Sequence, residues 1–178
     1  MFAIVLAALD RSGSVLPILC AMAVHELAHI VMMLACGGQV RRLTLRFADL
    51  QIAASGLGYR QELLSALAGP LVNLICGAAF CMQRPSFAAY SLMLGLYNLL
   101  PVWPLDGGRV LRCALLARLP ITQAEHISEI VSFAACAVLL LIGVFLTFFR
   151  KSGLWPLGTA AYLTVRLLML ARRTDAVQ

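Results

Sequence analysis

The run "AVHELAHIVM", Ala23–Met32, sets two histidines and a glutamate inside an apolar stretch, Val15–Cys36, long enough to cross a bilayer. In a helix His25 and His29 are i and i+4, so both rings leave one face. With Glu26 they spell HExxH, the spacing of two zinc-ligating imidazoles and a general base. A charge at the centre of a membrane helix costs on the order of 2.5–3.5 kcal/mol on insertion scales, so three polar groups together there are read as functional. Polar packing between helices is the competing reading. It is the preferred one for a lone histidine such as His126, beside Glu125 at a span boundary. Counted back from Cys36 at about 1.5 Å per residue, His29 lies roughly 10 Å and His25 roughly 16 Å below one membrane face.

Composition widens this from one span to the whole chain. Of 178 residues, 62% are hydrophobic and 12% charged, with mean hydropathy +0.91, well past the apolar share of a soluble domain. No segment is polar enough to be a linker, so residues 1–178 are expected to form a single membrane-embedded domain, all-α and polytopic. Apolar runs predict spans at Val15–Cys36, Leu63–Met82, Phe87–Pro101, Ile127–Phe149 and Leu154–Leu170. The apolar start "MFAIVLAALD" stops at Asp10 and Arg11 with no cleavage-type tail, so it is not read as a signal peptide; whether it belongs to a further span leaves the total at five to six. The first three spans would form a catalytic core over about 15–110, with accessory helices over about 121–171.

The formal charge of +6 does not imply nucleic acid, because the 14 Lys and Arg residues are scattered at the ends of apolar runs. They read as topology signals. With spans alternating from Val15, one side carries nine of them (Arg41, Arg42, Arg46, Arg60, Arg109, Arg112, Arg118, Arg172, Arg173) and the other four (Arg11, Arg84, Arg150, Lys151), with Arg166 inside the last span. The loops after the first and third spans are therefore expected to be cytoplasmic. The six cysteines show no CxxC spacing and read as small packing residues. In the first long loop, "RLTLRFADLQIAAS" alternates apolar and polar residues, which predicts a small membrane-associated β-hairpin. Its edges, Leu43–Phe47 or Leu50–Ala54, would be open to an added strand. No repeat or pair of interrupted helices of the inverted-repeat transporter kind is present.

A hydrolytic zinc site takes three protein ligands and keeps one position open. Most remaining carboxylates, Asp10, Asp49, Glu62, Glu125, Glu129 and Asp175, lie in loops, at span edges or in the tail. Asp106 differs. It sits in "YNLLPVWPLDGGRV", where Pro101 and Pro104 stop a helix near Leu99 and Gly107 with Gly108 would permit unusual backbone angles. Thirteen residues from Phe87 at about 1.5 Å each reach roughly 20 Å inward, near the depth of His29. Irregular backbone at that depth must be buried in protein or line a wet cavity, so Asp106 is expected to complete the site. Alone, "PVWPLDGG" could be an exit turn with a solvated Asp; beside HExxH that reading weakens.

Three motifs, "HELAH" in one span, "AGPLVN" (Ala68–Asn73) opening the next and "NLLPVWPLDGG" (Asn98–Gly108) ending the third, together resemble the site-2 protease family of intramembrane zinc metalloproteases. The compact "LPVWPLDGG" form is most similar to the branch containing the stage IV sporulation protease that cleaves a membrane-associated sigma-factor precursor. The resemblance implies that His25, His29 and Asp106 bind Zn2+ and that Glu26 activates the attacking water. It also implies that Asn73 positions substrate or stabilises the oxyanion, with an interhelical hydrogen bond an equal reading of that residue. Gly69 and Pro70 read as close packing and a helix start. The family often has Gly where this chain has Ala28. No PDZ insertion follows the second motif, and the chain ends soon after Leu170, so sensing through a cystathionine-β-synthase-type domain is not expected.

The expected function is thus that of a zinc metalloendopeptidase, an integral, multi-pass protein of a bacterial cell or forespore membrane. It would cleave membrane-anchored or membrane-associated protein substrates near the cytoplasmic face, under membrane regulatory proteins. The alternative is a membrane divalent-metal carrier using the same His and Asp site; a third is a catalytically silent scaffold. Glu26 discriminates, since hydrolysis needs a base there and transport does not.

Overall fold

A computed structural model describes residues 13–46, 49–55, 57–149 and 155–175. The expectation for residues 1–10 lies outside them. The elements, in chain order, are α1 (Val15–Ala35), β1 (Gln39–Arg46), β2 (Asp49–Ser55), α2 (Tyr59–Ala79), α3 (Pro85–Asn98), α4 (Asp106–Leu116), α5 (Ile121–Phe148) and α6 (Trp155–Asp175). They divide into two compact units, residues 1–99 and 100–178.

In the first unit α1, α2 and α3 pack against one another. α1 ends where the chain turns left-handed at Gly37 (φ +79°). The Gly37 N–H donates to the Leu34 carbonyl (2.9 Å) and the Gly38 N–H to that of Met33 (3.0 Å), the double bond of a Schellman stop, which favours glycine at the left-handed position. β1 and β2 then pair antiparallel, Leu45 opposite Leu50 and Arg46 opposite Asp49, with a register shift between Val40 and Arg42. α2 opens with the Gly58 N–H donating to Oε1 of Gln61 (2.8 Å). The Gln61 amide donates onward to the Cys36 carbonyl (3.1 Å), fastening the start of α2 to the end of α1. α3 starts with Pro85, whose missing N–H is no loss in a first turn. It stops at Leu99, two residues ahead of Pro101, which cannot continue a helix.

The α1–α2 seam is built from residues four apart. α1 buries Ala21, His25, His29 and Met33, and α2 buries Ser65, Gly69, Asn73 and Gly77 among others. Small residues on α2 let its backbone come close to the imidazoles. Gly95 does the same between α3 and α2, where a Cβ would stand 2.9 Å from the Pro70 carbonyl oxygen.

In the second unit, Leu100–Leu105 is non-helical and leads into α4. The Trp103–Pro104 bond is cis. The loop is braced from α5: the Trp103 N–H donates to Oγ of Ser132 (3.2 Å), and Ser132 donates to the Ser128 carbonyl (2.8 Å). Gly107 and Gly108 are not turn residues. They lie in the first turn of α4, and among the described residues only Gly13 and Gly37 have positive φ. What position 108 requires is proximity, since a Cβ there would meet the backbone N of Trp103 and C of Val102, each at 2.6 Å. The segment after Pro104 was expected to be connecting loop up to Ile127. Instead α4 takes Asp106–Leu116 and α5 begins at Ile121. α4 packs on α5, and α5 on α6; Arg112 of α4 donates to Glu125 of α5 (2.9 Å).

Three helices among the described residues, α1, α2 and α5, are long and apolar enough to cross a membrane. They expose large apolar side chains on their outer faces, Leu27, Val31 and Leu34 on α1 and Leu141, Phe145 and Phe148 on α5. Water disfavours such faces and lipid does not.

Candidate metal centre

His25 and His29 are both buried, at 4% and 7% exposure. Their rings meet edge to face, with centroids 4.7 Å apart, and their Nε2 atoms are 3.1 Å apart. Glu26 is half-buried next to His25 on the same helix.

Each ring is held from α2 through its other nitrogen. Nδ1 of His29 lies 2.7 Å from the Ser65 carbonyl oxygen. A carbonyl only accepts, so this nitrogen carries the proton and the lone pair sits on Nε2, the atom facing His25. Ser65 returns a bond from Oγ to the His29 carbonyl (3.3 Å). Nδ1 of His25 lies 3.3 Å from the Asn73 carboxamide. Asn73 is thus an interhelical hydrogen-bonding residue, fully enclosed at 0% exposure. Its Oδ1 is buried with no hydrogen-bond partner among the described residues.

Gly69 closes this arrangement: a Cβ there would stand 2.6 Å from Cε1 of His29 and 2.9 Å from Cε1 of His25. The sequence reading gave Gly69 a packing role only and passed over Ser65. Their signal is the four-residue stripe Ser65, Gly69, Asn73, which matches His25 and His29 only once α1 and α2 are known to run antiparallel.

In the second unit, Asp106 is buried (8% exposed) in the first turn of α4, where the exposed N–H groups of a helix start favour a carboxylate. Arg109, one turn on, places Nη1 3.7 Å from Oδ1 of Asp106. The sequence reading counted Arg109 only as a topology signal, although its i+3 spacing from Asp106 was there to be read. His126, in the second turn of α5, was expected to be a packing residue but is exposed.

Comparison with known proteins matches these elements to known ones. The model of peptidase family M50 matches residues 84–142, from the start of α3 into α5. A zinc metalloprotease of Methanocaldococcus jannaschii is 26% identical over 133 residues, covering 67% of this chain and 39% of its own length. Stage IV sporulation protein FB of Bacillus subtilis is 28% identical over 138 residues, covering 70% of this chain and 47% of its own. The chain therefore spans less than half the length of these curated relatives. Among solved structures, a site-2 protease from Methanocaldococcus jannaschii superposes with a TM-score of 0.68 at 20% identity, covering 94% of this chain and 83% of that one.

The fold is accordingly that of a site-2 protease, an integral membrane protein built around a histidine-bearing span. In sequence, the chain is similar to peptidase family M50 over residues 84–142 and to the two curated relatives at 26% and 28% identity.

Proposed function

We propose that this chain is an intramembrane zinc metalloendopeptidase whose two units act as one membrane-embedded domain of five to six spans. In this reading His25, His29 and Asp106 hold the metal and Glu26 is the base. The observation that carries it is the His25–His29 pair: two buried imidazoles on a membrane-length helix, with Nε2 atoms 3.1 Å apart.

The donor set fits zinc. Two nitrogens that share one ion at about 2.0–2.1 Å lie roughly 3 to 3.5 Å apart, and two imidazoles with one carboxylate are a common catalytic zinc set. The Ser65 carbonyl fixes His29 in the tautomer that offers Nε2. Metal-binding histidines are usually held in this way through the other ring nitrogen. Asp106 is the carboxylate we assign as third ligand, since it is buried, starts a helix and has Arg109 to steady it.

Zinc, when bound, would supply a Lewis acid that polarises a carbonyl and brings the pKa of a water to about 7. Glu26 would take the proton from that water as it attacks the scissile carbonyl and pass it to the leaving amine, a role worth roughly 100- to 10,000-fold in rate. The apolar flanks of α1 keep bulk water from the pair and strengthen each electrostatic contact. For Asn73 the buried contact with His25 favours a role exerted through the histidine.

The substrates we propose are membrane-spanning or membrane-associated proteins, cut near the cytoplasmic face and locally unwound to expose the peptide bond. An added strand on the β1–β2 hairpin would present that extended segment. The resemblance of "LPVWPLDGG" to the sporulation branch, with the likeness to stage IV sporulation protein FB, favours a membrane-associated sigma-factor precursor in a bacterial or forespore membrane.

Co-expression with a panel of single-span and membrane-associated substrates, with bound zinc measured in parallel, tests this. Wild type should cleave and bind one zinc; Glu26→Gln should keep the zinc and lose cleavage; Asp106→Ala should lose both. Undiminished cleavage by Glu26→Gln would overturn the role of the base, and unchanged zinc in Asp106→Ala would remove the third ligand.

A further inference from the structure

The contact between Asn73 and His25 can be made in two ways, and they have opposite consequences for a cation. The carboxamide has an amide nitrogen at one end and an oxygen at the other, nearly equal in shape, so either can face Nδ1 of His25 at 3.3 Å. If the nitrogen faces it, Asn73 donates to Nδ1 and the His25 proton sits on Nε2. A one-way chain then runs from Asn73 to His25, across the 3.1 Å Nε2–Nε2 gap to His29, and from His29 Nδ1 to the Ser65 carbonyl. Each link donates to the next. Nothing in the pair is left to bind a metal, and Oδ1 of Asn73 remains buried without a partner. If the oxygen faces it, Nδ1–H of His25 donates to Oδ1, and the lone pairs of both Nε2 atoms converge. Two converging lone pairs repel unless a cation lies between them.

We propose that Asn73 is the positioning residue that selects the His25 tautomer: a half-turn of its carboxamide converts the His25–His29 pair from a closed hydrogen-bonded chain to a two-nitrogen divalent-cation site. Asn73 acts through the histidine and does not touch substrate. The setting makes the selection sharp. Asn73 is fully enclosed, so no water competes for either nitrogen or oxygen. Gly69 brings α2 against both rings, so neither imidazole can move toward α2. His29 has no such freedom of tautomer, because a backbone carbonyl cannot donate; the choice rests on His25 alone. The proposal deepens the metalloprotease reading and rests on it.

The test is made on the full chain in detergent micelles, with cobalt and zinc as probes. Asn73→Asp keeps the size and offers acceptors only, which locks Nδ1–H on His25; Asn73→Leu keeps the size and offers nothing. Cobalt affinity, measured by competition with a chromophoric chelator, should be equal to or tighter than wild type in Asn73→Asp and about 10- to 100-fold weaker in Asn73→Leu, as for other groups that orient metal-binding histidines. A purely structural Asn73 predicts the reverse order, because a buried carboxylate disturbs packing more than a buried leucine. Nitrogen-15 shifts of the His25 ring supply a second readout independent of activity. Zinc should move the proton from Nε2 to Nδ1 in wild type, whereas Nδ1 should carry it with or without zinc in Asn73→Asp. Equal affinities in the two variants, or a His25 tautomer that zinc does not change in wild type, would overturn the proposal while leaving the metal site standing. If wild type binds neither metal, the metalloprotease reading fails and this inference fails with it.

Discussion

Gly69 of α2 and His29 of α1 face each other with no room for a methyl group, since a Cβ at 69 would stand 2.6 Å from Cε1 of the imidazole. The ring cannot retreat, because its Nδ1 is tied to the Ser65 carbonyl one turn earlier on the same helix. Gly69→Ala must therefore push α1 and α2 apart or break the Ser65 bond. Overpacking of this kind costs about 1–3 kcal/mol. The expected result is a protein that still inserts and folds, with a lowered melting temperature in detergent and sub-stoichiometric zinc. Full zinc occupancy in Gly69→Ala would show that the seam is softer than its geometry implies.

Gly108→Ala makes the corresponding test in the second unit. The added Cβ would meet the backbone of Val102 and Trp103, at 2.6 Å each, with the Val102 carbonyl oxygen at 2.7 Å. Backbone cannot rotate aside as a side chain can, and Ser132 pins this loop from α5. The start of α4 should shift, and Asp106 with it. We expect a loss of about 1–3 kcal/mol in stability and a fall in zinc content read by atomic absorption.

These two glycines mark the limit of what the sequence made legible. HExxH fixed the positions of His25 and His29 on one helical face, because i and i+4 are neighbours on any helix. The end of α3 near Leu99 followed from Pro101 and Pro104, two prolines close together that a helix does not carry through, whereas the lone Pro70, read as a helix start, lies inside α2. The Asp106 loop was read less well. Gly107 and Gly108 looked like turn residues with free backbone angles, yet both are helical, and the second is glycine because another stretch of chain lies against it. Local rules report what a residue permits; they do not report what will be pressed onto it. The same reason hid α4, whose Arg, Leu and Cys residues alternate within a segment framed by prolines. Ser65 contributes to the site through a main-chain carbonyl, a group every residue carries, so no side-chain motif could have pointed to it.

Zinc removal should be visible in stability as well as in activity. A ligand that binds only the folded chain, at about 100 times its Kd, adds about 2.7 kcal/mol, and for a chain of 178 residues each kcal/mol moves the midpoint by roughly 2–4 °C. Thermal melts in detergent should therefore drop by several degrees on chelation and recover when zinc is restored. His29→Ala should melt near the chelated temperature and no longer respond to added zinc. A melt that ignores zinc in wild type would count against a folded-state metal site.

The β1–β2 hairpin carries the last expectation. A two-stranded sheet leaves each strand with one unpaired edge among the described residues, and an extended substrate segment could hydrogen-bond there. N–H groups at alternate positions of a strand point the same way, so Leu43→Pro combined with Leu45→Pro removes two donors from one side of β1. The hairpin lies outside the His25–His29 contacts, and zinc content should stay normal. Cleavage of a full membrane substrate should be abolished, since its helix has to be caught in extended form. Hydrolysis of a short peptide, which has no helix to unwind, should fall far less. Equal losses on both substrates would mean that the prolines damage the catalytic core, and unchanged cleavage of the membrane substrate would remove the hairpin from substrate presentation.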